Sequence, residues 1–321
     1  MDIKQLQALL AIADHGSFSA AAKALLTVQS NVSAHIQRLE GELGVTLIDR
    51  YDGTLTAEGE MVAQRARRVV HEIEDIDADI HSLGESPSGE ARIGSIGTTG
   101  RWLMPLLLPE LSARHPGVHV TISEGATNTL VSRITAGDID AAIIHLPITS
   151  GDFEVTELFA EDLVLIAHTK HLITEKSSIS LLELSHHPIL LPPRGSPLRR
   201  ILDRAAANEG VALTALAEID GVRLLTSLAF EGFGPAIVPA SAIPGWLRGD
   251  FVRITVPGLP RRVVGWAQRQ RPRPNRATLA VRDTLADIVA RYANKQPGVT
   301  QDIRGIQGKS PAKGSRGNAA V

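Results

Sequence analysis

The chain of 321 residues is long enough for roughly two or three domains, and its 43% apolar and 21% charged residues argue against a disordered or fibrous protein. It contains no cysteine, which excludes disulfides, thiol catalysis, thiol redox sensing and cysteine-ligated metal. The net charge of −2 excludes a nucleic-acid binder that is basic throughout, but it leaves a local binding face open.

Three short helices are predicted at the N-terminus, because apolar residues recur there at helical spacing. The first helix ends at Gly16, and Ser17 or Ser19 can cap the second. The third follows a short break at residues 26–27, which makes a helix-turn-helix pattern. Its apolar positions are Val32, Ile36 and Leu39.

The opposite face of the third helix is polar and suits the major groove of DNA. Gln, Asn, Ser and Arg side chains match the donors and acceptors on base edges. Any short amphipathic helix also turns a polar face to solvent, so the pattern alone leaves both interpretations open. The polar residues are Gln29, Ser30, Asn31, Ser33, His35 and Arg38.

A small hairpin, or wing, is predicted after the third helix. Residues 46–50 are extended, 51–53 form a turn, and 54–56 return. Residues 1–60 carry four Lys and Arg against eight Asp and Glu, a net charge of −4. We therefore expect DNA phosphates to be held by a few placed groups and by helix N-termini.

Specific residues through this segment relate the chain to a known family. They include Gly16-Ser17-Phe18, Ala21-Ala22, Gln29-Ser30, Ser33, Leu39-Glu40, Leu43-Gly44, Arg50, Leu55-Thr56 and Gly59. In these residues the chain resembles the LysR-type transcriptional regulators, although its wing is about two residues shorter than usual and lacks basic residues at the tip. The resemblance implies a winged helix-turn-helix domain over residues 1–58 that binds double-stranded promoter DNA. The residues implied in DNA binding are Ser17, Gln29, Ser30, Asn31, Ser33, His35, Arg38 and Arg50.

One long helix is predicted next, since no proline occurs between residues 57 and 86. Its apolar positions step by 4 and 3, which is typical of a dimerising coiled coil, whereas a core helix of a globular domain is the alternative. These positions are Val62, Ala66, Val69, Ile73, Ile76, Ile80 and Leu83. In the family this is the linker helix, here 57–83, and residues 84–89 read as a hinge.

The remaining two hundred residues alternate short strands with helices, which indicates parallel-rich sheets covered by helices. The resemblance implies an α/β effector-binding domain over 90–294, with two lobes like those of a periplasmic solute-binding protein. Lobe one is expected at 90–163 and 268–294, and lobe two at 164–267. The expected strands are 91–96, 118–123, 140–144, 163–167, 189–191, 234–238 and 263–267.

Ligands of such folds bind beyond the carboxyl ends of strands, near helix N-termini. Hydroxyls and an arginine at these places favour a small anionic effector. The alternative is that Ser and Thr only cap helices and that Arg194 is a surface charge. The candidate effector-binding residues are Ser95, Thr98, Thr99, Gly100, Thr127, Asn128, Arg194 and Ser196.

Other functional classes are weakly supported. The sequence has no phosphate loop, nucleophile elbow or metal-ligand spacing, so we expect neither an enzyme nor a cofactor or metal. A solute-binding protein would need a signal peptide, and an α/β metabolic enzyme would need a convergent catalytic set. We see neither a signal peptide nor an apolar run that could span a membrane, and we expect a cytoplasmic protein without membrane contact.

The resemblance also implies partners and an assembly. The family forms homodimers or homotetramers, and effector binding alters promoter bending or the contact with RNA polymerase. Residues 295–321 are rich in Gly, Ser, Pro and Lys without periodicity, and are predicted to form a disordered tail.

Overall fold

The computed structural model describes residues 1–81, 86–148 and 153–302. Within these ranges the chain forms a helical N-terminal head, one long helix, and two lobes that are each built on a β-sheet. This confirms the expected α/β architecture with an N-terminal helix-turn-helix. No helix in these ranges is long and apolar enough to cross a membrane.

Three helices pack around an aliphatic core in the head. They are α1 (Ile3–His15), α2 (Phe18–Ala24) and α3 (Gln29–Leu43). Asp2 and Gln5 form a capping box at the start of α1, and Gly16 ends this helix in the left-handed conformation. Ser17 caps α2 by accepting a hydrogen bond from a backbone N–H. The predicted apolar stripe of α3 is buried at Val32, Ile36 and Leu39.

The wing is a minimal hairpin that is anchored to α3. One antiparallel bridge joins Ile48 to Leu55. The Glu40 side chain of α3 is 12% exposed, and its Oε1 accepts hydrogen bonds from the backbone N–H groups of Leu47 at 2.8 Å and Ile48 at 3.3 Å. The wing is therefore fixed relative to α3 by a carboxylate as well as by the hairpin.

The long helix, α4 (Ala57–His81), belongs to the head at its start and leaves it further along. Ala66 is buried in the core of the head and Val62 packs against that core, so the expectation that both face a partner helix is wrong. The first turns of α4 lie against α1 of the same chain, which uses this part of the stripe. Leu83 lies outside the described residues. The positions that remain exposed, at 38–63%, are Val69, Ile73, Ile76 and Ile80.

The strands that follow α4 in the described ranges form two mixed sheets. They are β1 (Ser88–Ser95), β2 (Gly117–Glu124), β3 (Ala141–Leu146), β4 (Phe153–Glu161), β5 (Leu163–His168), β6 (Ile189–Leu191), β7 (Ala215–Glu218), β8 (Ala236–Pro239), β9 (Phe251–Thr255), β10 (Arg262–Arg269) and β11 (Val299–Thr300). Lobe one has the order β11-β4-β10-β3-β1-β2, and lobe two has the order β7-β6-β8-β5-β9.

The strand pairing corrects the expected lobe boundaries. In lobe one, β1 runs parallel to β2 and β3, whereas β10 is antiparallel to β3 and β4. The boundary expected at residue 267 is therefore wrong, because all of β10 lies in the sheet of lobe one. Lobe one also continues past residue 294, since β11 pairs with β4. The hydrophobic pattern does not show the strand direction of β10, which enters the sheet of lobe one antiparallel to its neighbours. The sheets are therefore less parallel than expected.

Helices cover both sheets. They are α5 (Gly97–Arg114), α6 (Thr127–Ala136), α7 (Leu181–Leu184), α8 (Pro197–Asn208), α9 (Val222–Phe230) and α10 (Arg276–Tyr292), with 3₁₀ turns at Leu172–Glu175, Ala240–Ala242 and Ala293–Lys295. The sequence pattern predicts a helix only over residues 102–114, whereas α5 begins at Gly97. The stretch from Gly97 to Gly100 has low helix propensity, but Thr98 and Thr99 are buried there, so packing overrides propensity.

Two expected irregular segments are partly ordered. The hinge expected at 84–89 overlaps β1, which begins at Ser88, and residues 84 and 85 lie outside the described ranges. In the expected tail, residues 295–302 include the end of a 3₁₀ turn and β11, because Val299 is buried in the core of lobe one. Residues 303–321 lie outside the described ranges.

Polar contacts join α4 to both the head and lobe one. The Arg67 guanidinium lies 2.8 Å from Asp14 at the end of α1 and 3.2 Å from Asp138, which precedes β3. One turn further along α4, His71 Nδ1 donates a hydrogen bond of 3.0 Å to the Gly137 carbonyl. The side chains of α4 therefore set the position of the head on lobe one.

Candidate nucleic-acid interface and interlobe cleft

The solvent face of α3 is defined by its buried stripe. A helix turns about 100° per residue, so the positions directly opposite Val32, Ile36 and Leu39 are Ser30, Ala34, Gln37 and Gly41. Ser30 and Gln37 are exposed polar side chains on this line. Gln37 is absent from the predicted base-reading residues, although the helical wheel places it closer to the centre of this face than Asn31 or Ser33.

The other predicted base-reading residues lie around this line. Gln29, Asn31 and Arg38 are exposed. The Asn31 side-chain amide donates a 3.0 Å hydrogen bond to Thr27 Oγ1, and Arg38 Nε donates one of 3.2 Å to the Ala34 carbonyl. Each retains further donors for a base or a phosphate.

Two predicted residues lie toward the inside of the head. Ser33 is half-buried on the flank of α3. His35 is also half-buried, and its Nδ1 is inaccessible and has no hydrogen-bond partner among the described residues. It lies near Asp2 at the start of α1, whose pKa is lowered chiefly by the Gln5 N–H. His35 therefore lies at the junction of α1 and α3, beside the reading face rather than on it.

The beginning of α3 is open to an anion. Its N-cap is Val28, which supplies no side-chain hydrogen bond to the free N–H groups of the first turn. Helix N-termini with free N–H groups attract phosphate. Ser17 at the start of α2 is exposed, but its hydroxyl already accepts the Ala20 N–H at 3.2 Å.

The wing tip is polar and acidic. Arg50 Nη2 lies 3.3 Å from Glu40, which occupies part of its guanidinium. Asp52 accepts hydrogen bonds from the hydroxyl and the N–H of Thr54, and these bonds lower the pKa of its carboxyl. Tyr51 at the tip is fully exposed. The wing tip therefore presents a phenol group in place of the basic side chains that a basic wing would have.

The cleft residues of lobe one converge on the first turn of α5. Ser95 is buried, and its Oγ donates to the Ile96 carbonyl at 3.2 Å. Thr98 and Thr99 are buried, and Thr99 Oγ1 has no partner in the described part of the chain. Gly100 leaves room for the Ser95 hydroxyl, which would lie 3.1 Å from a Cβ at that position.

The start of α6 adjoins this turn, because the Gly125 N–H donates to the Ser95 carbonyl at 3.2 Å. Thr127 Oγ1 accepts the His145 N–H at 3.2 Å, which ties α6 to β3. Asn128 is exposed at the same helix start. These contacts bring the predicted residues of lobe one together.

The predicted residues of lobe two do not reach this cluster. Arg194 has an 85% exposed side chain and lies 3.8 Å from Glu218 of its own lobe. Ser196 caps α8 by accepting the Arg199 N–H at 3.3 Å. Another arginine of lobe two, Arg223, reaches a carboxylate of lobe one and pairs with Glu124. Arg223 is absent from the predicted set, although it lies in the first turn of α9 after a strand and Arg194 lies just before α8 after another.

A buried polar network lies where the chain crosses between the lobes. Arg262 Nη2 donates a 2.7 Å hydrogen bond to His145 Nδ1 and lies 3.7 Å from Glu161. Glu161 also accepts the Ser241 N–H at 3.0 Å. Burial lowers the pKa of His145 well below its ordinary value, and the Arg262 charge lowers it further, which agrees with a neutral imidazole that accepts at Nδ1.

Within the described residues no group of three or more His, Cys, Asp or Glu side chains could hold a metal ion. The head presents a polar helix face, and lobe one presents buried hydroxyls at the start of α5 and a half-buried hydroxyl at the start of α6.

Comparison with known proteins agrees with this division of the chain. Residues 3–60 match the family model of the bacterial regulatory helix-turn-helix protein, lysR family, and residues 84–300 match that of the LysR substrate binding domain. The HTH-type transcriptional regulator YofA of Bacillus velezensis is 32% identical over 245 residues, 76% of this chain and 82% of that protein. The DNA-binding transcriptional dual regulator OxyR of Escherichia coli is 28% identical over 278 residues, 84% of this chain and 90% of that protein.

Solved structures share the fold across nearly the whole chain. A full-length OxyR variant from Pseudomonas aeruginosa has a TM-score of 0.71 at 24% identity and covers 94% of this chain and 98% of its own. CbnR in complex with its target DNA has a TM-score of 0.69 at 23% identity and covers 91% of this chain and 99% of its own. The helix-turn-helix head and the two-lobed domain are thus both matched in sequence and in fold, and the chain belongs to the LysR family of DNA-binding transcriptional regulators.

Proposed function

We propose that this regulator reads promoter DNA with the exposed stripe of α3 and responds to a small anionic effector between its lobes. The observation that carries the first part is the line of Ser30, Ala34, Gln37 and Gly41 opposite a fully buried stripe. A helix with such a face fits the major groove, where Gln and Ser side chains hydrogen-bond to base edges.

Two copies are needed to read two half-sites. The exposed apolar side chains of α4 from Val69 to Ile80 form a stripe whose contact with water is unfavourable. A second copy of α4 buries this stripe as a coiled coil. The described helix of 25 residues spans about 37 Å at 1.5 Å per residue, close to one turn of DNA between half-sites. We infer a homodimer, with a homotetramer when effector domains also associate.

The effector is a reversibly bound molecule. A relative at 28% identity is named a hydrogen peroxide-inducible genes activator. This chain has no cysteine, so a thiol cannot be its sensor. The buried hydroxyls at the first turn of α5 support a polar ligand there, and one of them, Thr99 Oγ1, has no hydrogen-bond partner among the residues that the structure describes.

The proposed regulator acts in the cytoplasm, where its DNA is, and has no enzymatic activity or cofactor of its own. Effector binding changes the spacing of the two heads, and hence the promoter bend or the contact with RNA polymerase, to the extent that the effector binds one arrangement more tightly.

The Gln37→Ala variant tests the reading face. Operator sites are first selected from a pool of random duplexes with the wild-type protein. Loss of a good base contact costs about 1–3 kcal/mol, so we expect roughly tenfold or weaker binding and relaxed preference at one base pair in each half-site. The matched control is Gln7→Ala, at an exposed position of α1 away from α3. Unchanged affinity and base preference in Gln37→Ala would remove this residue from the reading face.

A further inference from the structure

One ion pair joins the two lobes across the mouth of the cleft. Glu124 is the last residue of β2 in lobe one, and Arg223 is the second residue of α9 in lobe two. Arg223 Nη1 donates to Glu124 Oε2 although 99 residues separate the two in sequence. Both side chains are about half exposed, so solvent reaches the pair.

The pair lies over the first turn of α5. A Cβ at Gly97 would lie 3.0 Å from Arg223 Cδ and would collide with the Glu124 carboxylate, so a side chain at this position would displace the pair from where it lies. Ile96 caps this helix without a side-chain acceptor, and the free N–H groups of a helix start favour a negative charge. Glu124 therefore places a carboxylate between a helix N-terminus of lobe one and a guanidinium of lobe two.

A second cation lies on the same side of α5. Arg101 follows Gly97 by one turn, and its guanidinium lies 5.9 Å from the ring centre of Trp246, in the segment between β8 and β9. Without the Glu124 carboxylate, the mouth of the cleft would thus present the Arg223 guanidinium and a helix N-terminus, with a second guanidinium one turn further along α5. An anion is the ligand that such a site accepts.

We propose that Glu124 is an internal stand-in for the anionic group of the effector, and that Arg223 is the residue that recognises this group. The inference rests on the proposed effector cleft and names the chemistry that the cleft takes, a small molecule with a carboxylate. Such a molecule displaces Glu124 from Arg223 and takes over the contact between the lobes. A half-exposed ion pair is weakly held, which makes this exchange easy.

The exchange changes how the lobes are joined. In the structure Arg223 is bound to a group that is covalently part of β2, so the pair restrains the distance between β2 and α9. When a free carboxylate occupies Arg223, that distance is set by the effector instead. The effector selects a lobe arrangement through this difference in affinity.

Spin-label distance measurements on the full-length protein test the proposal directly. Because the chain has no cysteine, Ser112→Cys on α5 and Ala207→Cys on α8 create unique labelling sites, both exposed and one in each lobe. Dilution of the labelled protein with unlabelled protein isolates the distance within one chain. We expect one narrow distribution for the parent and a broader, longer one for both Glu124→Ala and Arg223→Gln. The matched control is Glu183→Gln, which breaks the pair with Lys176 inside lobe two and should leave the distance unchanged.

Acetate then serves as the probe for the stand-in role. In Glu124→Ala, acetate should restore the narrow distribution while chloride at equal ionic strength does not, and in Arg223→Gln neither salt should restore it. Unchanged distances in Glu124→Ala and Arg223→Gln overturn the ion pair as a link between the lobes. Acetate no better than chloride in Glu124→Ala overturns the stand-in.

The two proposals can fail separately. Operator affinity of the same labelled proteins is measured in parallel, and the effector cleft itself is tested by Thr98→Val with the same acetate titration in the Glu124→Ala background. If acetate restores closure but operator binding never responds to cleft occupancy, the proposed regulatory function is wrong and the assignment of Arg223 stands.

Discussion

The head and the interlobe cleft are built in opposite ways. The reading face of the head comes from a single helix, α3, whose exposed and buried positions follow from helical periodicity alone. The cleft is assembled from the starts of α5, α6 and α9, and its two charged partners are 99 residues apart. The head is therefore a local structure that a sequence can specify in sixty residues, whereas the cleft exists only once two sheets have formed.

This difference explains why the sequence predicts Arg194 as a cleft residue whereas the folded chain places Arg223 there. Arg194 lies just before a helix of lobe two and Arg223 lies in the first turn of another, and each follows a strand, so the sequence gives no reason to prefer one. In the folded chain Arg194 remains beside Glu218 of its own lobe, and only Arg223 meets a carboxylate of lobe one. A site between lobes is decided by lobe geometry, which hydrophobic pattern does not encode.

The largest expected effect is the loss of the second copy that the head needs in order to read two half-sites. Ile73→Asp combined with Ile76→Asp removes two apolar side chains from each chain and so four from the dimer, each worth about 1.5–3 kcal/mol when buried. We expect a monomer at micromolar concentration in sedimentation velocity, with the effector domain still folded. Gln64→Asp adds a charge to an exposed position of α4 off the stripe and should remain dimeric. A persistent dimer in the double variant would move the interface away from this helix.

A smaller change should damage the head and leave the cleft intact. A Cβ at Gly59 would lie 2.9 Å from the Leu47 carbonyl carbon and closer still to its oxygen, so Gly59→Ala must displace the wing backbone from α4. We expect a loss of about 3 kcal/mol or more in the head, measured by amide hydrogen exchange, with protection of the two sheets unchanged.

Gly41→Ala is the control for this substitution, because a Cβ at Gly41 meets nothing within 4 Å and alanine favours a helix interior by up to about 1 kcal/mol. If Gly59→Ala loosened the lobes as much as the head, the head would not be an independent unit.

The fold features that the sequence did not predict depend on tertiary packing, as does the position of Arg223. The stripes of α3 and the strand positions of β1, β2 and β6 were predicted, because each depends on its own periodicity. The placement of β10 in lobe one, and of Ala66 inside the head, depends on what each segment packs against. Neither β4 nor β9 was predicted, and both lie next to partners that are distant in sequence.

The smallest expected effect concerns pH and belongs to the crossing between the lobes. Burial and the nearby Arg262 lower the pKa of His145 well below its ordinary 6.5. The unfolded chain therefore binds a proton on this residue at a higher pH than the folded chain does, and its contribution to stability is present above pH 6.5 and lost as the pH falls. Urea unfolding at pH 7.5 and 5.5 should show a larger loss for the wild type than for His145→Gln, whose side-chain oxygen can still accept from Arg262. His119→Gln, at an exposed position of β2, should behave as the wild type. Equal losses in His145→Gln and the wild type would mean that the crossing adds no acid sensitivity of its own.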